Sequence, residues 1–120
     1  MAITRLHSIN GRVYGYVTAV IAKDGTTSAE ADLEGMTVMG LLIPTIDSAN
    51  LTFTVCNTTG GTFQTLKAMD GTAHTITATT GNFALACDDL SDLAAYRYVK
   101  IVASAAQTTA ARTFTWVLKA

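Results

Sequence analysis

At 120 residues, with two cysteines and one proline, the chain fits a single domain able to bury a core without disulfides or metal. Hydrophobic residues make up 49% and charged residues only 14%, where about 25% charged is usual. Thr, Ser, Asn and Ala must therefore cover much of the surface, which costs little to desolvate against copies of the chain or a partner. The formal net charge of −1 and the pI near 6.0 exclude a sequence-independent attraction to nucleic acid or anionic lipid.

Residues 1–10 place Ile3, Leu6 and Ile9 around Arg5 and lack the charged start and apolar core of a signal peptide. They are read either as a terminal arm that reaches a neighbour or as the first strand, with residues 11–120 forming one domain. The turn signal Asn10-Gly11 precedes a run rich in Val, Tyr and Ile over 12–22, whose apolar residues fall on both faces, and Asp24-Gly25 turns the chain again. Residues 28–33 predict at most a short edge strand. The stretch 36–43 is apolar on both faces, as suits a covered central strand, and Pro44 is expected to end it by removing a ladder donor. The nearly apolar stretches 13–22 and 36–46 are shorter than the ~20 residues that span a bilayer, so the chain is expected to be made in the cytoplasm, with no membrane partner.

Strict alternation begins at 51–56, with Leu51, Phe53 and Val55 on one face and Thr52, Thr54 and Cys56 on the other. Asn57-Thr-Thr-Gly-Gly61 then predicts a hairpin turn into a second β-rich run over 62–69. Asp70-Gly71 reverses the chain into a strand over 73–80, and Gly81-Asn82 predicts another turn before a strand over 83–87. Residues 88–95 form the one helix-like piece, with Asp88, Asp89 and Asp92 where a helix start favours negative charge. Two alternating runs follow, with Val99, Ile101 and Ala103 on one face of the first and Phe114, Trp116 and Leu118 on one face of the second; residues 104–111 between them read as a loose loop. Eight or nine short strands with regular turns and no sustained 3.6-residue period predict an all-β antiparallel sandwich or barrel.

The chemistry-bearing residues are sparse. His7 and His74 have no visible partners for catalysis, and rim positions account for both. Cys56 and Cys87, 31 positions apart, match no metal-ligand spacing, and each reads as a small hydrophobe in a β-like run. Asp88, Asp89 and Asp92 could bind calcium, but without the Asp-x-Asp-x-Asp-Gly pattern, capping and solvation explain them more simply. Glu30, Asp32 and Glu34 alternate, as on one solvated strand edge. Tyr14, Tyr16, Tyr96, Tyr98 and Trp116 are the aromatics available to a sugar platform. Trp116 belongs with the core, while Tyr96 and Tyr98, the latter sharing a face with Lys100, are the candidate surface contacts.

The order of segments resembles a known group. A Gly-rich turn follows a Ser/Ala/Asp strand, then come Val-Met-Gly-Leu-Leu-Ile-Pro at 38–44, Leu-Thr-Phe-Thr-Val at 51–55 and Gly-Gly-Thr-Phe at 60–63. Asp70-Gly71, Leu-Ala-Ala-Tyr-Arg-Tyr-Val-Lys-Ile-Val-Ala-Ser at 93–104 and Ala-Ala-Arg-Thr-Phe-Thr-Trp-Val-Leu at 110–118 complete it. This pattern, over about 28–118, is similar to small tailed-bacteriophage virion proteins, several of which are head decoration (cement) proteins. Many of these carry Ser-x-Asp-Gly-Gly in the hairpin turn, where this chain has Cys56-Asn-Thr-Thr-Gly-Gly61. The resemblance implies a jelly-roll or galactose-binding-like β-sandwich. It also implies a non-enzymatic role without a cofactor, on the capsid exterior, with the major capsid protein and copies of the chain itself, as a homodimer or homotrimer, for partners. Ile3, Arg5, Leu6 and Ile9 are the candidate capsid or subunit contacts in that setting. The alternative is a tail or baseplate module that holds host glycans through Tyr96 and Tyr98.

Overall fold

The computed structural model describes residues 4–9, 12–86, 93 and 95–119, with 4–9, 12 and 13 described as backbone alone. Its strands are β1 (Thr4–Ile9), β2 (Arg12–Ile21), β3 (Ala31–Asp32), β4 (Thr37–Cys56), β5 (Gln64–Thr65), β6 (Ile76–Ala86), β7 (Tyr98–Ala103) and β8 (Arg112–Lys119). All pairings are antiparallel, in the order β1-β2-β8-β4-β7-β3, with β5 and β6 also on β4. The antiparallel all-β fold expected from the sequence is thus present. Backbone 4–9 runs along β2; Ile3 and the side chains of Arg5, Leu6 and Ile9 lie outside the described residues.

The alternating runs deliver the core. Phe114, Trp116 and Leu118 of β8 are fully buried, as are Val99 and Ile101 of β7 and Leu51 of β4. Pairing decides what the sequence left open for β2: Val17 and Ala19 stand opposite Trp116 and Phe114, so the odd-numbered face turns inward. The Trp116 indole meets Phe53 edge to face at 5.8 Å between ring centroids, tying β8 to the far half of β4.

Strand β4 departs from expectation. It runs unbroken through Pro44 for 20 residues, pairing with β8 as far as Leu42 and with β7 from Leu51. Pro44 is tolerated because the ladder to β8 has already ended when the chain reaches it. Beside it, Gly81 and Asn82 make no reversal but sit inside a continuous β6, both with positive φ, while Ile43 and Thr45 keep their pairing with Phe83 and Gly81. A Cβ on Gly81 would collide with the Pro44 carbonyl oxygen, so the close crossing of the two strands requires glycine there.

The sheet also curls on itself. Residues 26–29 stitch β2 to β7: the Ala29 N–H donates to the Val20 carbonyl at 3.2 Å and the Ser28 N–H to the Ile101 carbonyl at 2.9 Å. The Ala103 N–H in turn donates to the Thr26 carbonyl at 2.7 Å. One sheet therefore closes nearly into a barrel around the core.

Candidate functional site

Two clefts open beside the end of β4, and they share Asn57 and Tyr96. The larger, about 530 Å³, is lined by Glu34, Gly35, Asn57, Ala95, Tyr96 and Arg97. The smaller, about 360 Å³, reaches from Tyr96 and Asn57 to Cys56, Gln64 and Lys67. Tyr96, which lines both, is half-buried and packs in part against the core.

The walls are held by carboxylates. Glu30 reaches across to the hairpin turn, accepting from the Thr59 hydroxyl at 2.6 Å and the Gly60 N–H at 3.0 Å. Those two bonds, the hydroxyl first, hold its carboxyl below the ordinary range. Asp32 accepts from both Arg97 Nε at 2.9 Å and Nη2 at 3.1 Å, a two-pronged pair that lowers the aspartate and raises the arginine. The Arg97 N–H donates to Asn57 Oδ1 at 3.0 Å, which ties two of the residues that line the larger cleft to each other.

The three acids expected on one strand edge are divided among separate tasks. Only Ala31–Asp32 is strand, and Glu34 turns the chain with a positive φ. Tyr98, expected at the surface, is buried instead, at 8% exposure. It lies between Cys56 of β4 and Asp32 of β3, and the Arg97 guanidinium stands 5.3 Å from its ring centroid. Lys100 likewise stands over Phe63 at 4.4 Å. Of the two candidate aromatics, Tyr96 alone lines a cleft. His74 is half-buried in the 66–74 hairpin, its N–H donating to the Leu66 carbonyl at 3.2 Å. Cys87, Asp88, Asp89 and Asp92 lie outside the described residues, and His7 is placed only as β1 backbone. Among the described residues, no group of three or more His, Cys, Asp and Glu is arranged to hold a metal.

Sequence reasoning missed a second network altogether. Residues 104–111 are not loose: Gln107, fully buried, accepts the Asp47 N–H at 2.7 Å through Oε1 and donates through Nε2 to the Asp47 and Ala105 carbonyls, each at 3.2 Å. The Asp47 carboxylate then accepts from the Thr108 N–H at 2.8 Å, the Thr109 hydroxyl at 2.9 Å and Arg112 at 3.1 Å. Its carboxyl is lowered, above all by Thr109. No local pattern announces this, because the partners are about 60 residues apart.

No protein-family model matches the chain, and no curated protein matches it by sequence. Its fold is similar to that in the crystal structure of SPBc2 prophage-derived protein YomS, with a TM-score of 0.59 over 96% of this chain and 100% of that one. Identity is 12%, so the likeness is one of fold.

Proposed function

We propose that this chain is a non-enzymatic structural protein of a bacteriophage particle, a decoration (cement) protein that sits on the capsid exterior and binds the major capsid protein and copies of itself. The observation that carries this reading is the whole-chain likeness in fold to a prophage-derived protein, joined to a sequence pattern similar to phage head proteins. A surface with so few charges supports it, since little hydration is lost on contact. Binding the assembled shell, and not its separated subunits, would stabilise the shell by mass action. Cosedimentation with capsids lacking the protein tests this: saturable binding at a copy number matching capsid symmetry, with raised heat resistance of the shell, is expected. Capsids that neither bind it nor gain stability would refute it.

A second reading, a glycan-binding module of the tail or baseplate, is favoured by one observation: Tyr96 lines both clefts, among amide and hydroxyl side chains suited to sugar hydroxyls. Titration with maltose, cellobiose and diacetylchitobiose would then shift the amide resonances of Asn57 and Tyr96 saturably, and Tyr96→Ala would abolish the shifts. Unmoved resonances would remove this reading.

A further inference from the structure

The registers of four neighbouring strands assemble an outward face that carries no charge. Across β2, β8, β4 and β6 one row reads Tyr16, Val117, Gly40, Ala86. The next reads Thr18, Thr115, Leu42, Ala84, and a third begins Val20, Thr113. The alternate residues, Val17, Trp116 and Leu41, point inward and are fully buried, which fixes these rows as the outer surface. Leu42, near the middle, is 48% exposed. The nearest charges in β8, Arg112 and Lys119, stand at its two ends. Two rows across four strands and a third across β2 and β8, at ~4.8 Å between strands and ~7 Å between rows, make a patch of roughly 340 Å² in plan. With side-chain relief and a rim, that stays below the ~800 Å² each partner contributes to an interface of standard size and suits a weak, micromolar dimer.

The face also has a steric gradient. Its β2 and β8 side is raised by Tyr16, Val20 and Val117; on its β4 and β6 side Gly40 is buried and Ala84 and Ala86 are small, so that Leu42 stands up alone from that half. A two-fold axis parallel to the strands and midway between two such faces lays β2 over the other copy's β6 and β8 over its β4. Tyr16 and Val117 then lie over the other copy's Ala86 and Gly40, Leu42 lies over its Thr115, and no side chain in these rows confronts a like charge.

We infer that this face is the contact between two copies of the chain, packed sheet on sheet about that axis. The inference names where the self-association in the proposed function occurs, yet its test is independent of capsid binding. Light scattering on the full chain at roughly 0.1 mM, which saturates a micromolar dimer, is expected to give twice the chain mass of 12.6 kDa. The mass is expected to be unchanged in about 1 M salt, because no ion pair contributes. Leu42→Lys and, separately, Thr115→Arg are expected to halve the mass with an unchanged circular dichroism spectrum, while Met69→Glu at the tip of the 66–74 hairpin keeps the dimer. A monomeric wild type, or a Leu42→Lys variant that folds and still dimerises, would overturn the inference. A monomer that binds capsids sinks this inference and spares the proposed function; a Leu42-dependent dimer that ignores capsids does the reverse.

Discussion

Two regions of this molecule use the same chemistry and reach different results. Beside the middle of β4, Asp47 gathers backbone N–H groups, a threonine hydroxyl and an arginine, and the space beneath is filled by Gln107. Past the end of β4, Glu30 and Asp32 gather a threonine hydroxyl, a backbone N–H and Arg97 in the same way, but no buried amide fills the space, and two clefts remain. The contrast teaches that carboxylate pinning alone does not mark a functional site. What distinguishes the second region is that its walls are fixed while its interior is left open, which is the preorganisation a ligand needs.

Both regions hang on β4, so the largest effect is expected where β4 is most constrained. Gly81→Ala places a methyl group against the Pro44 carbonyl at a φ of 76°. It is expected to destabilise by about 3 kcal/mol or more, read from the midpoint of urea unfolding, and to loosen both regions together. An unchanged midpoint would mean that the crossing of β4 and β6 is not tight. Gln107→Ala acts on one region alone. It leaves the Asp47 N–H without its acceptor in a buried place, for an expected loss of about 2–4 kcal/mol. The clefts beside Tyr96 are expected to be unaffected, as amide chemical shifts of Asn57 and Arg97 would show; shifts that moved there would show the two regions to be coupled.

The parts of this fold that were legible in the sequence are those governed by local alternation. Leu51, Phe53 and Val55, then Val99 and Ile101, then Phe114, Trp116 and Leu118 each announce an inward face, and each is buried. The illegible parts are governed by what lies across a strand. Pro44 reads as a terminator and Gly81-Asn82 as a reversal until one sees that each faces the other across a kinked but continuous ladder. Tyr98 alternates outward with Lys100, yet β3 and Arg97 cover it from elsewhere in the chain. Of the cleft, only Tyr96 was visible beforehand, because an aromatic carries its own signal, whereas Asn57 and Arg97 acquire roles through each other.

Acid should erase the likeness between the two regions. Glu30, Asp32 and Asp47 all have lowered carboxyl pKa values in the folded state, so the unfolded chain binds more protons at low pH. Their contribution is complete above about pH 5, past the unfolded values of ~3.9–4.3, and is lost as the pH falls through the folded values. Thermal melts are therefore expected to be level from neutral pH to about 5 and to fall below about 4. Asp47→Asn should show a lower melt at neutral pH and a shallower acid limb. An acid limb identical to the wild type would remove Asp47 from the account.

Glu30→Ala is the smallest perturbation and the most discriminating. Its carboxylate lies near water, so the lost hydrogen bonds are expected to lower global stability by only about 0.5 kcal/mol. The local consequence is larger in kind. Without Glu30, the Gly60 N–H loses its acceptor, and the turn after Cys56 keeps the bond from the Arg97 N–H to Asn57 Oδ1 and its internal bonds, such as the Gly61 N–H to the Thr58 carbonyl at 3.0 Å. Amide exchange at Gly60 should accelerate while that at Thr108 and Thr109, held by Asp47, stays as in the wild type, because opening would be confined to one unit of the fold. If Gly60 exchange is unchanged, the turn holds itself and Glu30 does not set the wall of the clefts. If exchange accelerates at Thr108 as well, the two regions open as one, and the distinction between a filled end and an open one has no energetic content.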